Sequence, residues 1–430
     1  MAFYIYDYLK ETNKPEAELL DLLKYELDKS IYYFGEHFIA PLEHPVNKSM
    51  LKKTARNVGA GSVRLNAVIS QRGRLLKSNN IIISSAYFNL NNEINDLGFS
   101  AFLPVWMNAL PGKDIYGSAL NHNCLELKGH LDNLTTSTIF SNQLRKSINK
   151  FRDQFMEFSR KPNIKALILS NDLGFFERLA IGIFRKIGKP SFVFLHGLPG
   201  RYNKFDDNRA DYLIVWGNKI RDHYIAAGVK PEKIFVSGHP FYKTIDAKKV
   251  SRFDFRDILI ITKSLNGAPP LTNGTVLSDR GNLILYLISI RNVLTPLGIK
   301  SVRLRLHPSE NPEWYSKMVG TDFFKIDRLT LKDSLRKSTL VIGPTSTVFL
   351  EALIAGVNYI CYEPEKDGLD LINFPLVPPF DGSNPGIPVA KNEKDLGHIL
   401  AKKIFTDTDI LHEYLRTPFS LDFISKLIEN

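Results

Sequence analysis

Apolar and polar positions alternate along this chain in two registers, short β-prone runs and longer stretches with helical spacing. Runs at Ile81 to Ser84, Ala166 to Ser170, Phe192 to Leu195, Tyr212 to Trp216 and Ile234 to Val236 predict strands. Helices are predicted at Ser141 to Phe158, Phe175 to Ile187 and Lys219 to Gly228. Strand and helix in such alternation predict a doubly wound α/β domain. The segment from Pro240 to Phe255 is polar, rich in lysine and weakly periodic, and reads as a linker. A second series follows: strands at Ile258 to Thr262, Val302 to Leu306 and near Phe323 to Ile326, with a helix within Leu283 to Leu294. The series closes on a β-turn-α-β unit, in which Thr339 to Ile342 is a strand, Gly343-Pro344 breaks it, Ser346 to Ala355 is a helix ended by Gly356, and Tyr359 to Tyr362 is a strand. Parallel pairing with a right-handed crossover is the expected outcome.

These patterns place a first α/β domain in residues 1–240, a second in 255–405, and a helical tail in 406–430 whose Leu421 to Ile428 stretch can fold back over the first domain. Nearer the start, Pro15 to Phe34 predicts a packing helix with one stripe of Leu19, Leu20, Leu23, Leu27 and Ile31. Gly59-Ala-Gly-Ser62 is glycine-rich, but no strand precedes it, so it reads as a chain turn or an acceptor-side loop.

Composition narrows the class. With 430 residues, 44% hydrophobic and 23% charged, the chain can bury two ordinary cores and has the make-up of a soluble globular protein. No run reaches the roughly 18 apolar residues of a membrane span, and Met1 to Asp7 lacks the pattern of a signal peptide, so a cytoplasmic protein is expected. The two cysteines, Cys124 and Cys361, lie in or near apolar runs and are too few for a cysteine zinc site. The net charge of +11 is spread along the chain without the signatures of a nucleic-acid-binding module. A basic surface of this kind suits an anionic glycan or the anionic face of a membrane.

Candidate chemistry sits where strands end. Thr345, Ser346 and Thr347 open the helix of the last unit, so N–H groups and hydroxyls can converge on a phosphate, with Glu351 one turn further on, in reach of sugar hydroxyls. The alternative is a plain helix cap and a solvated glutamate. Upstream, Arg303-Leu-Arg-Leu-His-Pro308 ends another strand, and Pro308 fixes the chain where His307 can donate to a phosphate oxygen. Lys263-Ser-Leu-Asn-Gly-Ala268 offers an ammonium and backbone N–H groups, or is an ordinary loop. In the first domain, Asp172 of Leu169-Ser-Asn-Asp-Leu-Gly174 is a candidate general base, or Asn171 or Asp172 is only a helix cap. His196 ends the adjacent strand and can bind acceptor, orient the base or act as base. His239-Pro240 is either a ligand contact or a structural turn. Asp206-Asp207 lacks a third ligand at a recognisable spacing, so no metal is expected; nor is a cofactor.

Several of these stretches resemble a known family. Gly343-Pro-Thr-Ser-Thr-Val-Phe-Leu-Glu-Ala-Leu-Ile-Ala-Gly356 resembles the nucleotide-binding half of GT-B glycosyltransferases. Leu195-His-Gly197, Ala210-Asp-Tyr-Leu-Ile-Val-Trp-Gly217 and Gly228-Val-Lys-Pro-Glu-Lys-Ile-Phe-Val-Ser-Gly-His-Pro240 are similar to bacterial capsule and lipopolysaccharide transferases. The resemblance runs from about Lys165 to Glu363; the first 160 residues carry none. It implies two Rossmann-like domains facing across a cleft, a nucleotide-sugar donor and a glycan or glycolipid acceptor. By likeness to sialyl and Kdo transferases of this fold, CMP is the favoured nucleotide. His307, Pro308, Ser346 and Thr347 would contact it, and Asp172 would fall near the catalytic acid. Those sialyltransferases carry an acidic-acidic-glycine motif where this chain has Asn171-Asp172-Leu173-Gly174. The donor side as a whole comprises Lys263, Asn266, Gly267, Arg305, His307, Pro308, Gly343, Thr345, Ser346, Thr347 and Glu351, and the catalytic candidates are Asp172 and His196. The expected activity is transfer of a sugar to a cell-surface polysaccharide or lipopolysaccharide, with a sugar-nucleotide epimerase or a non-catalytic glycan-binding protein as alternatives.

Overall fold

The computed structural model describes residues 16–26, 72–109, 115–135, 138–199, 209–242, 245, 249–250, 253–262, 278–308, 310, 312–364 and 376–429. Two six-stranded sheets, parallel throughout, organise them. The first contains β1 (Ile81–Ser84), β2 (Ser100–Phe102), β3 (Ile164–Leu169), β4 (Ser191–Phe194), β5 (Tyr212–Val215) and β6 (Ile234–Val236), in the order β2-β1-β3-β4-β5-β6. The second contains β7 (Ile258–Ile261), β8 (Val302–Arg305), β9 (Phe324–Ile326), β10 (Leu340–Gly343), β11 (Asn358–Tyr362) and β12 (Val389–Ala390), in the order β12-β11-β10-β7-β8-β9. Numbered within its own sheet, the second order is 3-2-1-4-5-6 read from the β9 edge, the arrangement of a Rossmann sheet.

Central strands buried on both faces explain the continuous apolar runs Ile81-Ile-Ile83, Ala166 to Leu169 and Phe192-Val-Phe194, all buried. In the second sheet the two faces serve different cores. Leu259, Ile261, Val341, Tyr359 and Cys361 pack into the large core that includes the first sheet, and Ile258, Ile260, Leu340, Ile342, Ile360 and Tyr362 pack into a smaller core under the helix Ser278–Leu294. The alternation is the period-two geometry of a strand.

The end of the chain ties the two bodies together. After the helix Glu393–Lys402 of the second body, the helix Ile410–Tyr414 packs beside Asn218–Ala226 of the first. Arg416 N–H donates to Trp216 O at 2.8 Å, Ser420 N–H to Ser237 O at 2.9 Å, and the rings of Phe423 and Phe235 stack with centroids 4.8 Å apart. Gly217 is demanded by this contact: a Cβ there would overlap the backbone of Glu413 and Tyr414.

The carboxyl ends of both sheets point toward one another. Leu198, just past β4, donates its N–H to Thr347 Oγ1, just past β10, at 3.0 Å. Tyr242, just past β6, lies near enough to Glu351 for each group to shift the other's titration. Among the described residues no helix is long and apolar enough to cross a membrane.

Candidate active site

Ligands of doubly wound sheets bind outside the carboxyl ends of the strands, where the strand order reverses. In the second sheet that point lies between β7 and β10. Lys263, Asn266 and Gly267, which follow β7, lie outside the described residues. The turn after β10 is defined. Gly343 is buried and has no room for a side chain, because the Tyr359 hydroxyl occupies that space and donates to Pro344 O at 2.6 Å. The helix that follows runs Val348–Ile354, shorter at both ends than the sequence pattern suggests. Its entry is tightened by three-residue turns, Phe349 N–H to Ser346 O and Leu350 N–H to Thr347 O.

The three hydroxyl residues of this turn have different fates. Thr345 is buried, and the Glu363 carboxylate accepts both its N–H at 2.8 Å and its hydroxyl at 2.6 Å. An anion does sit on Thr345, but it is a side chain of the protein. Register explains it: Gly343 pairs with Cys361, so Thr345 and Glu363 both stand two residues past the paired strand ends. Ser346 Oγ accepts from Val348 N at 3.3 Å and is half-buried. Thr347 Oγ1 accepts the N–H of Leu198 and keeps its own proton to donate.

Glu351 is not a solvated helix residue. Burial raises its carboxyl pKa above the usual range, while the Tyr242 hydroxyl and the nearby Arg305 charge oppose the rise. Burial likewise pushes the Tyr242 phenol up. Arg305, at the end of β8, donates to Leu329 O at 2.8 Å and reaches Asp327 at 3.3 Å. His307 and Pro308 are exposed just beyond it. The backbone there is fixed by Glu310, whose Oε2 accepts the His307 N–H at 2.9 Å and the Thr262 hydroxyl, and whose Oε1 accepts the Tyr315 hydroxyl at 2.6 Å.

In the first body, Asp172 stands differently from the free general base that its loop position suggests. Its side chain is fully buried, Oδ1 lies 3.0 Å from Arg209 Nη1, and Oδ2 accepts the Arg209 N–H at 2.6 Å. A carboxylate enclosed by an arginine and by its own backbone is not offered to an acceptor hydroxyl. It instead pins the loop from Ser170 to Leu173, where Asn171 Oδ1 also accepts the Leu173 N–H at 3.1 Å.

That loop orients the other candidate. His196 is exposed at the end of β4, and its Nδ1 lies 2.8 Å from Ser170 O. A carbonyl only accepts, so in the neutral ring Nδ1 carries the proton and Nε2 the lone pair. Nε2 has no partner among the described residues. His239, at the end of β6, is a structural residue: it is 2% exposed, ringed by Phe88, Trp216, Phe241 and Tyr242, and accepts the Phe241 N–H on Nδ1 at 3.2 Å.

The structure thus joins the loop that carries His196 and Leu198 in the first body to Thr347 of the second through the Leu198 N–H, and brings Tyr242 near Glu351. Sequence reasoning missed Glu363, Tyr242 and Arg209. Glu363 had a usable signal, a carboxylate at the end of the strand parallel to the one feeding Thr345. Arg209 had none, since it follows a stretch without periodicity. No three His, Cys, Asp or Glu side chains are grouped as metal ligands among the described residues.

No protein-family model matches the chain, and no curated protein matches it in sequence. Solved structures do. The chain is similar to a UDP-GlcNAc 2-epimerase from Neisseria meningitidis bound to UDP-GlcNAc, at 8% identity and a TM-score of 0.44, covering 81% of this chain and 97% of that one. It is similar to MurG of Acinetobacter baumannii at 10% identity and a TM-score of 0.45, covering 81% and 98%. It is also similar to Anabaena HepE in complex with UDP and glucose at 11% identity and a TM-score of 0.38, covering 82% and 98%. These are likenesses of fold. The architecture itself, two parallel six-stranded α/β sheets, rests on the strand order given above.

Proposed function

We propose that the protein is a glycosyltransferase, taking a sugar from a nucleotide-sugar donor held by the second domain and passing it to a glycan or glycolipid acceptor held by the first. The observation that carries the reading is the hydrogen bond from Leu198 N–H to Thr347 Oγ1, which joins the loop bearing His196 to the turn that follows β10. A base with an open lone pair on one side and hydroxyl donors on the other is what group transfer between two substrates requires.

In this reading His196 Nε2 takes the proton of an acceptor hydroxyl as that oxygen bonds to the anomeric carbon of the donor. The bond from the anomeric carbon to the phosphate oxygen breaks, and its electron pair leaves on the nucleotide. In the same reading the Thr347 and Ser346 hydroxyls and the exposed His307 ring serve as the donors that meet that negative charge. Glu351, with Tyr242 nearby, serves the sugar hydroxyls of the donor. Asp172 acts through the Ser170 carbonyl as a positioning residue for His196. The acceptor class is a growing surface polysaccharide or lipopolysaccharide, and the net charge of +11 suits work at the anionic inner face of a membrane.

A donor screen read by mass spectrometry tests this, with CMP-, UDP- and GDP-linked sugars and a mixed acceptor pool. Glycosylated acceptor with release of the matching nucleotide is the expected result. An altered sugar formed from donor alone would replace the transferase reading with an epimerase, and turnover of no donor would leave a binding protein. Co-sedimentation with phosphatidylglycerol vesicles that fades with added salt is expected for the membrane contact, and equal recovery with neutral vesicles would remove it.

A further inference from the structure

The proposed mechanism leaves unused a pair of exposed aromatic rings at the carboxyl edge of the first sheet. Tyr87 follows β1 and is 72% exposed; Phe241 follows β6 and is 69% exposed. Both are mounted on one buried ring, Phe88, at centroid distances of 5.3 Å each. Phe88 is wedged in turn against Phe194, Trp216 and His239, so the mount belongs to the core. Tyr87 also lies 6.2 Å from the His196 ring. The strand order of this sheet reverses between β1 and β3, which puts Tyr87 and Phe88 at the reversal point, where open α/β sheets hold ligands.

Two large exposed rings on one mount, one of them 6.2 Å from the His196 ring, have mixed chemistry, apolar faces with an imidazole nearby. A pyranose matches it, since one face of the ring is a patch of C–H groups and its rim is hydroxyl donors. An acyl chain would gain nothing from the imidazole. A nucleobase would call for paired donors and acceptors at its edge.

We propose that Tyr87 and Phe241 form a saccharide-stacking platform that seats the acceptor sugar with a hydroxyl against His196 Nε2. The proposal deepens the transferase reading and rests on it for the word acceptor; the platform itself rests on the rings and their surroundings.

Saturation-transfer NMR on the full chain tests it, with the methyl β-glycosides of glucose, galactose and N-acetylglucosamine as probes, and CMP and UDP in parallel samples. Tyr87→Ala and Phe241→Ala are the variants. Both side chains are mostly exposed, and unchanged circular dichroism checks their folding. The wild type is expected to bind at least one glycoside with the strongest transfer at C–H protons of one ring face. Each variant is expected to weaken that binding about two- to tenfold while leaving nucleotide binding unchanged. Glycoside binding unaltered in both variants, or none by the wild type, overturns the platform. So does loss of nucleotide binding, or of phosphatidylglycerol vesicle binding, in place of glycoside binding. A wild type that binds glycoside through these rings but no nucleotide would sink the transferase reading and leave the platform standing.

Discussion

Lowering the pH should weaken this fold through one histidine. His239 is buried among Phe88, Trp216, Phe241 and Tyr242, and that burial lowers its pKa from 6.5 to about 4. The folded value lies below the unfolded one, so the unfolded chain binds more protons between them, and stability is lost as pH falls from 6.5 towards 4. The full difference corresponds to about 3 kcal/mol, and at about pH 5 about 2 kcal/mol of it is already gone. His239→Phe keeps a ring in the pocket and removes the titration. Urea unfolding followed by tryptophan fluorescence reports on this site, because the Trp216 ring is 4.5 Å from His239. Between about pH 7.5 and about pH 5 the wild type should lose about 2 kcal/mol more than His239→Phe. His223, whose pKa burial also lowers, is present in both proteins and cancels. Equal losses in the two proteins, or a His239 titration near 6.5 by NMR, would refute the reasoning.

Other substitutions separate structural from chemical roles. Gly217→Ala should destabilise by about 2 kcal/mol or more, because its Cβ meets the backbone of Glu413 and Tyr414; Gly129→Ala, inside the helix Ser118–Asp132 with nothing within 4 Å, should stabilise by about 0.5–1 kcal/mol in the same thermal-melt series. Asp172→Asn leaves Arg209 without its buried counter-charge, and a loss of about 2–4 kcal/mol in urea unfolding is expected. Unchanged stability with lost turnover would return Asp172 to the role of base. Glu351 has a raised folded pKa, so its ionisation opposes folding, and wild-type stability should fall as pH rises through the raised value. Glu351→Gln should lack that fall in pH-dependent melts, and an identical slope would count against burial as the cause.

Much of this architecture is legible in the chain because central parallel strands are buried on both faces. Ile81 to Ser84 and Ile234 to Val236 stand where the apolar runs place them, and β3, β4, β7, β8, β10 and β11 differ from their runs by one or two residues at the ends. The edges are another matter. β2, Ser100-Ala-Phe102, and β12, Val389-Ala390, are too short to carry a pattern, and they form because a neighbouring strand offers its hydrogen bonds. The site was legible in position more than in role. The loops that carry His196 and Thr347 follow β4 and β10 and are joined by the Leu198–Thr347 bond, since strand order forces loops after strands to one edge. Which groups are already satisfied depends on contacts distant in sequence: strand register hints at Glu363 for Thr345, but no local pattern announces Arg209 for Asp172.

The central claim is that the turn after β10 and the loop after β4 close on one nucleotide-sugar. Amide hydrogen exchange of the full chain, with and without saturating CMP, UDP or GDP, addresses it directly. At least one nucleotide should slow exchange in peptides spanning 343–351 and, in the same sample, in peptides spanning 195–199. Protection of neither segment by any of the three, or protection confined to a surface remote from both, would contradict the account.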